Sequence, residues 1–268
     1  MNILHPIETP AHFVQQGQGA PVLLIHGLAA SLFDWRELLP ALAAAGYAGY
    51  ALDLLGHGES EKPPRLEAYH IENVFNHFQR WVEHLSLDSP LILVGHSLGG
   101  YLAMEFALRY PERTRALVLV NPFYSLKQLP PLLRVRYRGP LLNTEMLQRT
   151  PQWLIRTMID LTSFSIRNGY VLPEEVRQQT ALDYKRAHPG IFNIPASIRD
   201  LLPLANRITA PTLVMWGRRD LTLSPRSFHQ LAAALPHAQT STLDAGHVPH
   251  QSHAPEFNQR VLQFLCTL

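Results

Sequence analysis

A chain of 268 residues is enough for one large α/β domain or two small ones, and 46% hydrophobic with 16% charged residues is the composition of an ordinary soluble globular protein. The formal net charge of +2 gives no electrostatic reason to expect a nucleic-acid partner. The single cysteine, Cys266, excludes an internal disulfide and a cysteine-based metal site, and no apolar run approaches the roughly 18 residues of a membrane helix. One domain with an insertion is therefore expected, with cytoplasmic location as the default and no stable membrane insertion. A mature secreted chain would read the same way.

Residues 1–20 are short, polar and punctuated by proline and glycine, and Ala11 to Gln16 reads as an edge strand. Pro21 to Ile25 is a compact apolar run, expected as a buried strand, and it ends in the loop His26-Gly27-Leu28-Ala29-Ala30-Ser31. Asp34 to Ala45 places Trp35, Leu38, Leu39 and Leu42 at helical spacing, with Gly46 to stop the helix. Tyr47 to Leu54 is the next strand and runs into a glycine-rich turn around Gly56-His57-Gly58. Ile71, Val74, Phe75, Phe78, Val82 and Leu85 recur at spacings of three and four, which puts them on one helical face.

The stretch Leu91–Gly100, LILVGHSLGG, is an apolar strand, a sharp turn at Ser97 and the start of a helix running to Tyr110. In the spacing G-x-S-x-G the serine is forced onto a strained turn, and glycines two positions to either side remove side chains that would collide there. The turn lifts the hydroxyl clear of the sheet and aims the positive end of the following helix at whatever the serine attacks. A strand at Arg115 to Val120 follows, ending at Asn121-Pro122.

Alternation then breaks. From Phe123 to about Arg207, prolines at 130, 131, 140, 151, 173, 189, 195 and 203 divide the chain into short helical pieces without a buried-type strand. It resumes with a strand at Pro211 to Trp216, the loop Gly217-Arg218-Arg219-Asp220, a helix from Pro225 to Ala234, a strand near Gln239 to Leu243, the loop Asp244-Ala245-Gly246-His247, and a helix from Pro255 to Leu265. Near-continuous apolar strands alternating with helices predict a mostly parallel, doubly wound sheet covered on both faces.

In such a sheet, ligands lie beyond the carboxyl ends of the strands. Ser97, Asp220 and His247 all fall at such ends. Serine chemistry needs this set of types: a hydroxyl is too weak an acid to attack an acyl carbon unaided, an imidazole takes and returns its proton, and a carboxylate fixes the imidazole tautomer. Asp34 and Asp244 are alternative acids on residue type alone. His26 and His96 flank the serine and read first as loop-fixing side chains, as Asp53 reads first as a turn scaffold. His250 and His253 read as surface residues or as neighbours of the site. No H-x-x-x-H or carboxylate cluster stands at ligand spacing, so neither a metal nor another cofactor is expected.

Taken together, HGL at 26–28, DLLGHGES at 53–60, GHSLG at 95–99, GRRD at 217–220 and AGHVPH at 245–250 resemble the α/β-hydrolase fold superfamily, its serine carboxylesterase-like branch with a helical cap. The resemblance covers nearly the whole chain. It implies Ser97 as nucleophile, His247 as base and Asp220 as the orienting acid, since members keep the acid in the loop after the strand that follows the lid. It also implies an oxyanion hole from the backbone N–H groups of Leu28 and Leu98. Many members carry a glutamate five residues after the histidine; here the position is Ser252, a departure in the contacts around His247.

By the same resemblance, residues 1–122 and 208–268 form the core and 123–207 the cap, or lid. The cap segment holds twelve Lys and Arg against six Asp and Glu, about +6, which leaves about −4 for the rest. Attraction of an anionic substrate or a membrane surface would follow if that charge were free; an ordinary solvated helical surface is the simpler reading. Leu132, Leu133, Trp153, Leu154, Met158, Phe164 and Phe192 are expected first as the cap's own small core.

The expected reaction is hydrolysis of a small carboxylic ester with an apolar acyl or alcohol part, by a monomer or homodimer. The same triad acting on a thioester, a lactone or the C–C bond of a diketone is the alternative within enzymes. A non-catalytic hydrolase-fold ligand-binding protein is the alternative of another class. Haloalkane dehalogenases and epoxide hydrolases attack with an aspartate where this chain has Ser97.

Overall fold

A computed structural model of the chain describes residues 11–137, 149–162 and 172–268. Seven strands form one sheet: β1 Phe13–Gln16, β2 Ala20–Ile25, β3 Tyr47–Leu52, β4 Leu91–His96, β5 Thr114–Val120, β6 Thr212–Gly217 and β7 Ala238–Leu243. Their order is β1-β3-β2-β4-β5-β6-β7, and all neighbours run parallel except the edge pair β1–β3.

The continuous apolar runs of the strands reflect burial on both faces. Along β2, Leu23 and Ile25 pack into one core while Val22 and Leu24 pack into the other, and β4 and β5 alternate in the same way. The first core is closed by α2 (Ile71–His84) and α3 (Leu98–Arg109), the second by α1 (Leu38–Ala44) and the C-terminal helix Ala254–Leu265. Helix α2 buries the predicted face through Val74, Phe75, Phe78 and Val82.

Two elements differ from expectation. The helix predicted over 34–45 is split into a 3-10 turn, Leu32–Trp35, and α1. Pro40 has no N–H to donate and fits only within a first helical turn, so the regular helix begins at Leu38. Strand β3 stops at Leu52 rather than Leu54, because Asp53 serves the turns: its carboxylate accepts from the N–H groups of Leu32 (2.8 Å) and Glu59 (2.9 Å).

Between β5 and β6 the described residues form helices only: α4 Pro131–Arg136, α5 Gln152–Thr162, α6 Glu174–Arg186 and three 3-10 segments, Leu126–Gln128, Pro189–Ser197 and Leu202–Arg207. Except for Leu126–Gln128, a proline stands just before each of them or in its first two positions, as the sequence predicts. After β6 come α7 Pro225–Ala234, α8 Pro249–Ser252 and α9 Ala254–Leu265. The β5–β6 connection is anchored at its far end by Arg199, whose guanidinium grips the buried Glu105 of α3 with bonds of 2.7 and 2.8 Å. Burial alone would raise the Glu105 carboxyl, but Arg199 and then Arg109 outweigh it and hold it below the ordinary range. Among the described residues, no helix is long and apolar enough to cross a membrane.

The predicted cap core is only partly found. Leu132, Trp153, Leu154 and Met158 are exposed, Trp153 at 68%. These short helices leave a face uncovered among the described residues. Phe192 instead lines a cavity facing the sheet, as does Met158. Phe164 and the side chain of Leu133 lie outside the described residues.

Candidate active site

Strands β4, β5 and β6 end side by side, and the loops beyond them bring together residues distant in sequence. Ser97 follows β4 directly with φ 51° and ψ −111°, a left-handed conformation that costs a non-glycine residue on the order of 1–3 kcal/mol. The surroundings hold it there. Its N–H donates to the Val120 carbonyl (2.9 Å), and its own carbonyl accepts from Phe123 N–H (3.0 Å) and Tyr101 N–H (3.3 Å). The flanking glycines are required sterically, in a sharper form than the spacing alone implies. A Cβ on Gly95 would run into the Gly99 carbonyl, and one on Gly99 into the Ile25 carbonyl of β2.

Asp220 lies in the loop after β6, and its Oδ2 is 2.8 Å from Nδ1 of His247, in the loop after β7. The same carboxylate accepts from the Asn121 amide (2.7 Å) and from the N–H groups of Thr222 (2.7 Å) and Leu223 (3.0 Å). Burial would raise the Asp220 carboxyl, yet the charge and hydrogen bond of His247, the Leu223 amide and Asn121 prevail and keep it below the usual carboxylate range. It is therefore ionised at neutral pH, and an ionised Asp220 accepts the proton on Nδ1, which leaves Nε2 of His247 as the basic nitrogen. Asn121, a left-handed residue at φ 42°, is a site residue that sequence reading missed; its place directly after β5 was the available signal.

The other candidate acids are occupied elsewhere. Asp244 pairs with Arg219 (2.7 Å) at the surface, while Asp34 faces His96, His250 and Gln251. His26 and His96 fix loops, as expected. His26 Nε2 accepts from Leu54 N–H (3.0 Å), and His96 Nε2 donates to the carbonyl of His247 (2.9 Å), tying the end of β4 to the histidine loop. Burial, followed by the nearby His250 and His247, pushes His96 well below the ordinary imidazole range. His250 is buried against Trp35 and Phe257. Ser252 turns its hydroxyl inward to the Val248 carbonyl (3.1 Å).

Ser97 and His247 open on one cavity of about 380 Å³. Leu28 and Leu98 line the cavity beside Ser97, and Leu98 is the first residue of α3, where a helix leaves N–H groups unpaired. The opposite wall is mainly apolar and comes from the β5–β6 connection, including Leu129, Ile155, Ile159 and Phe192. Among the described residues several of its cations are paired: Arg177 with Asp160 (2.6 Å), Lys127 with Asp200 (2.9 Å) and Arg156 with Glu174 within the connection, and Arg186 with Glu59 (2.9 Å) and Arg199 with Glu105 (2.7 Å) of the rest of the chain, so only the last two pairs offset its excess positive charge.

Residues 20–254 match the sequence profile of the alpha/beta hydrolase fold. The chain is similar to a bifunctional epoxide hydrolase 2 of Sus scrofa, at 27% identity over 96% of this chain and 53% of that protein, so it spans about half the length of that relative. It is 29% identical to a haloalkane dehalogenase of Mycolicibacterium paratuberculosis over 94% of this chain and 86% of the other. Among solved structures, a thermophilic esterase from Thermogutta terrifontis superposes with a TM-score of 0.80 at 25% identity, covering 96% of this chain and 93% of that one.

Proposed function

Since the chain belongs to the alpha/beta hydrolase fold family, we propose that it is a serine hydrolase that cleaves carboxylic esters through an acyl-enzyme. The observation that carries this reading is the shared cavity: Ser97, held on a strained turn, faces the same apolar space as a histidine fixed by a buried, ionised aspartate. On substrate binding, His247 Nε2 takes the Ser97 proton as Oγ attacks the carbonyl carbon. The oxygen that gains negative charge is met by the N–H groups of Leu28 and Leu98, each such donor being worth on the order of a hundred- to a thousandfold in rate. His247 then returns the proton to the departing alcohol, and Asp220 stabilises the imidazolium between these steps. Water, activated by the same nitrogen, releases the acid.

Residues 1–122 and 208–268 act as the catalytic core in this reading, with 123–207 as the cap. The apolar wall contributed by 123–207 supports an ester with an apolar acyl or alcohol part. The names of the pig and mycobacterial relatives suggest epoxide or haloalkane chemistry. Those enzymes attack with an aspartate, and the serine at position 97 favours acyl transfer instead.

The test is a panel of p-nitrophenyl esters of rising acyl length beside thioester, lactone and vinylogous diketone substrates, with Ser97→Ala as control. Ester turnover that falls on the order of 10⁴-fold or more in Ser97→Ala is the expected result. Turnover confined to another bond type would move the assignment to that bond. Labelling by a serine-directed phosphonate without any turnover would favour a ligand-binding protein.

A further inference from the structure

Three buried side chains that ester cleavage does not use meet beside the cavity. Asp34 lies in the 3-10 turn after β2, His96 ends β4, and His250 lies in α8; they are 5, 4 and 2% exposed. One possible ligand atom from each lies within 4.8 Å of the other two. Asp34 Oδ2 is 3.9 Å from His96 Nδ1 and 3.5 Å from His250 Nε2. Neither His96 Nδ1 nor either ring nitrogen of His250 makes a hydrogen bond. Sequence spacing hid this group, because its members come from three segments far apart in the chain: a 3-10 turn, a strand end and a short helix.

The tautomer of His96 makes the arrangement a chemical problem. Its Nε2 faces the carbonyl oxygen of His247, which can only accept, so Nε2 carries the proton and Nδ1 of the neutral ring presents a lone pair. That lone pair and the Asp34 carboxylate are both electron-rich, both buried, and share one small space. A buried charge or polar atom without a partner is costly, and a cation between the two removes the conflict.

We propose that Asp34, His96 and His250 bind one divalent transition-metal ion of the zinc class beside the His247 loop. Two imidazoles and a carboxylate suit such ions, whereas magnesium and calcium favour all-oxygen sets. Bonds near 2.0–2.1 Å to a tetrahedral ion place ligand atoms about 3.3 Å apart, so small side-chain rotations from the observed 3.5 and 3.9 Å close the site. The orientation of two ligands is already fixed from behind, His96 by the His247 carbonyl and Asp34 Oδ1 by the Gln251 amide. Asp34, His96 and Gln251 line the cavity, which provides a route for the ion and room for a water as fourth ligand. His96 would then link metal occupancy to the position of His247.

The chain, stripped with a chelator, is titrated with zinc against a chromophoric competitor. One ion per chain is expected, unaffected by excess magnesium or calcium, and Asp34→Asn and His250→Phe each weaken binding by about a hundredfold or more. Cobalt-loaded wild type should show the visible bands of a four-coordinate site and X-ray absorption scattering from two imidazoles. Absence of a bound ion, or equal zinc affinity in folded variants, overturns the proposal. If either variant fails to fold, the cobalt spectra decide, and scattering without two imidazoles overturns it.

Discussion

The two walls of the cavity are held in different ways. The wall with Ser97, Asp220 and His247 rests on parallel strands in fixed register, with His96 opposite Val120 across β4–β5 and Gly217 opposite Leu243 across β6–β7. Each of these three side chains lies within a few residues of a strand end, so its position is set by the sheet. The facing wall consists of short helices packed on the core through Leu129, Ile191, Ile194 and Leu201 and tied to it by polar contacts: Ser31 Oγ to Asp183 (2.7 Å), His188 N–H to the Gly56 carbonyl (2.8 Å), and Arg186 to Glu59 (2.9 Å). It also leaves large apolar side chains exposed, Leu132 at 81%. A wall fixed by register holds the strand-end geometry, while one built of short helices with apolar side chains left exposed can change shape and so set which substrates enter.

Substitutions on the two walls should therefore have different signatures. On the sheet side, Asp220→Asn keeps the shape but presents the wrong hydrogen-bonding partner to His247 Nδ1. We expect kcat to fall on the order of 10³- to 10⁴-fold with little change in melting temperature. A near-normal rate in steady-state kinetics would show that another carboxylate serves the histidine.

On the facing wall, Ile159→Trp fills part of the cavity that Ser97 also lines. It should lower kcat/KM for long-chain esters relative to acetate by about tenfold. An unchanged ratio across the chain-length series would mean that this wall does not select substrates.

At the junction the expected effect is on stability alone and depends on pH. Burial, together with the nearby Asp34 and Asp53, raises Asp183 to about 6 in spite of the Ser31 and Gln179 hydrogen bonds. An acid raised on folding binds its proton more tightly in the native state, so its contribution is most favourable below about pH 4 and is lost as pH rises through 6. Asp183→Asn should therefore stabilise the chain by on the order of 1–2 kcal/mol at pH 8 and by nothing near pH 4, read from denaturant midpoints at the two pH values. A constant difference would remove Asp183 as a pH-sensitive contact.

The same contrast explains what could be read from the sequence. Strands buried on both faces, such as LILVGH, announce themselves by composition, and the turns after them carry glycine spacing imposed by backbone collisions. Ser97, Asp220 and His247 were legible because each stands next to such a signal. Asn121 was not, since a single asparagine after a strand has no spacing to mark it. The facing wall was legible only as proline-cut helices: whether Phe192 joins a local core or lines the cavity depends on tertiary packing. Asp34 and His250 were seen singly, and only the fold brings them to His96.

The central claim is that Ser97 attacks the acyl carbon. The most direct measurement is rapid-quench mass spectrometry of the chain mixed with a p-nitrophenyl ester, with the modified peptide sequenced. The account predicts a burst of nitrophenol close to one per chain and a transient acyl mass on Ser97. An adduct on an aspartate, or steady turnover with Ser97 never modified, would contradict it.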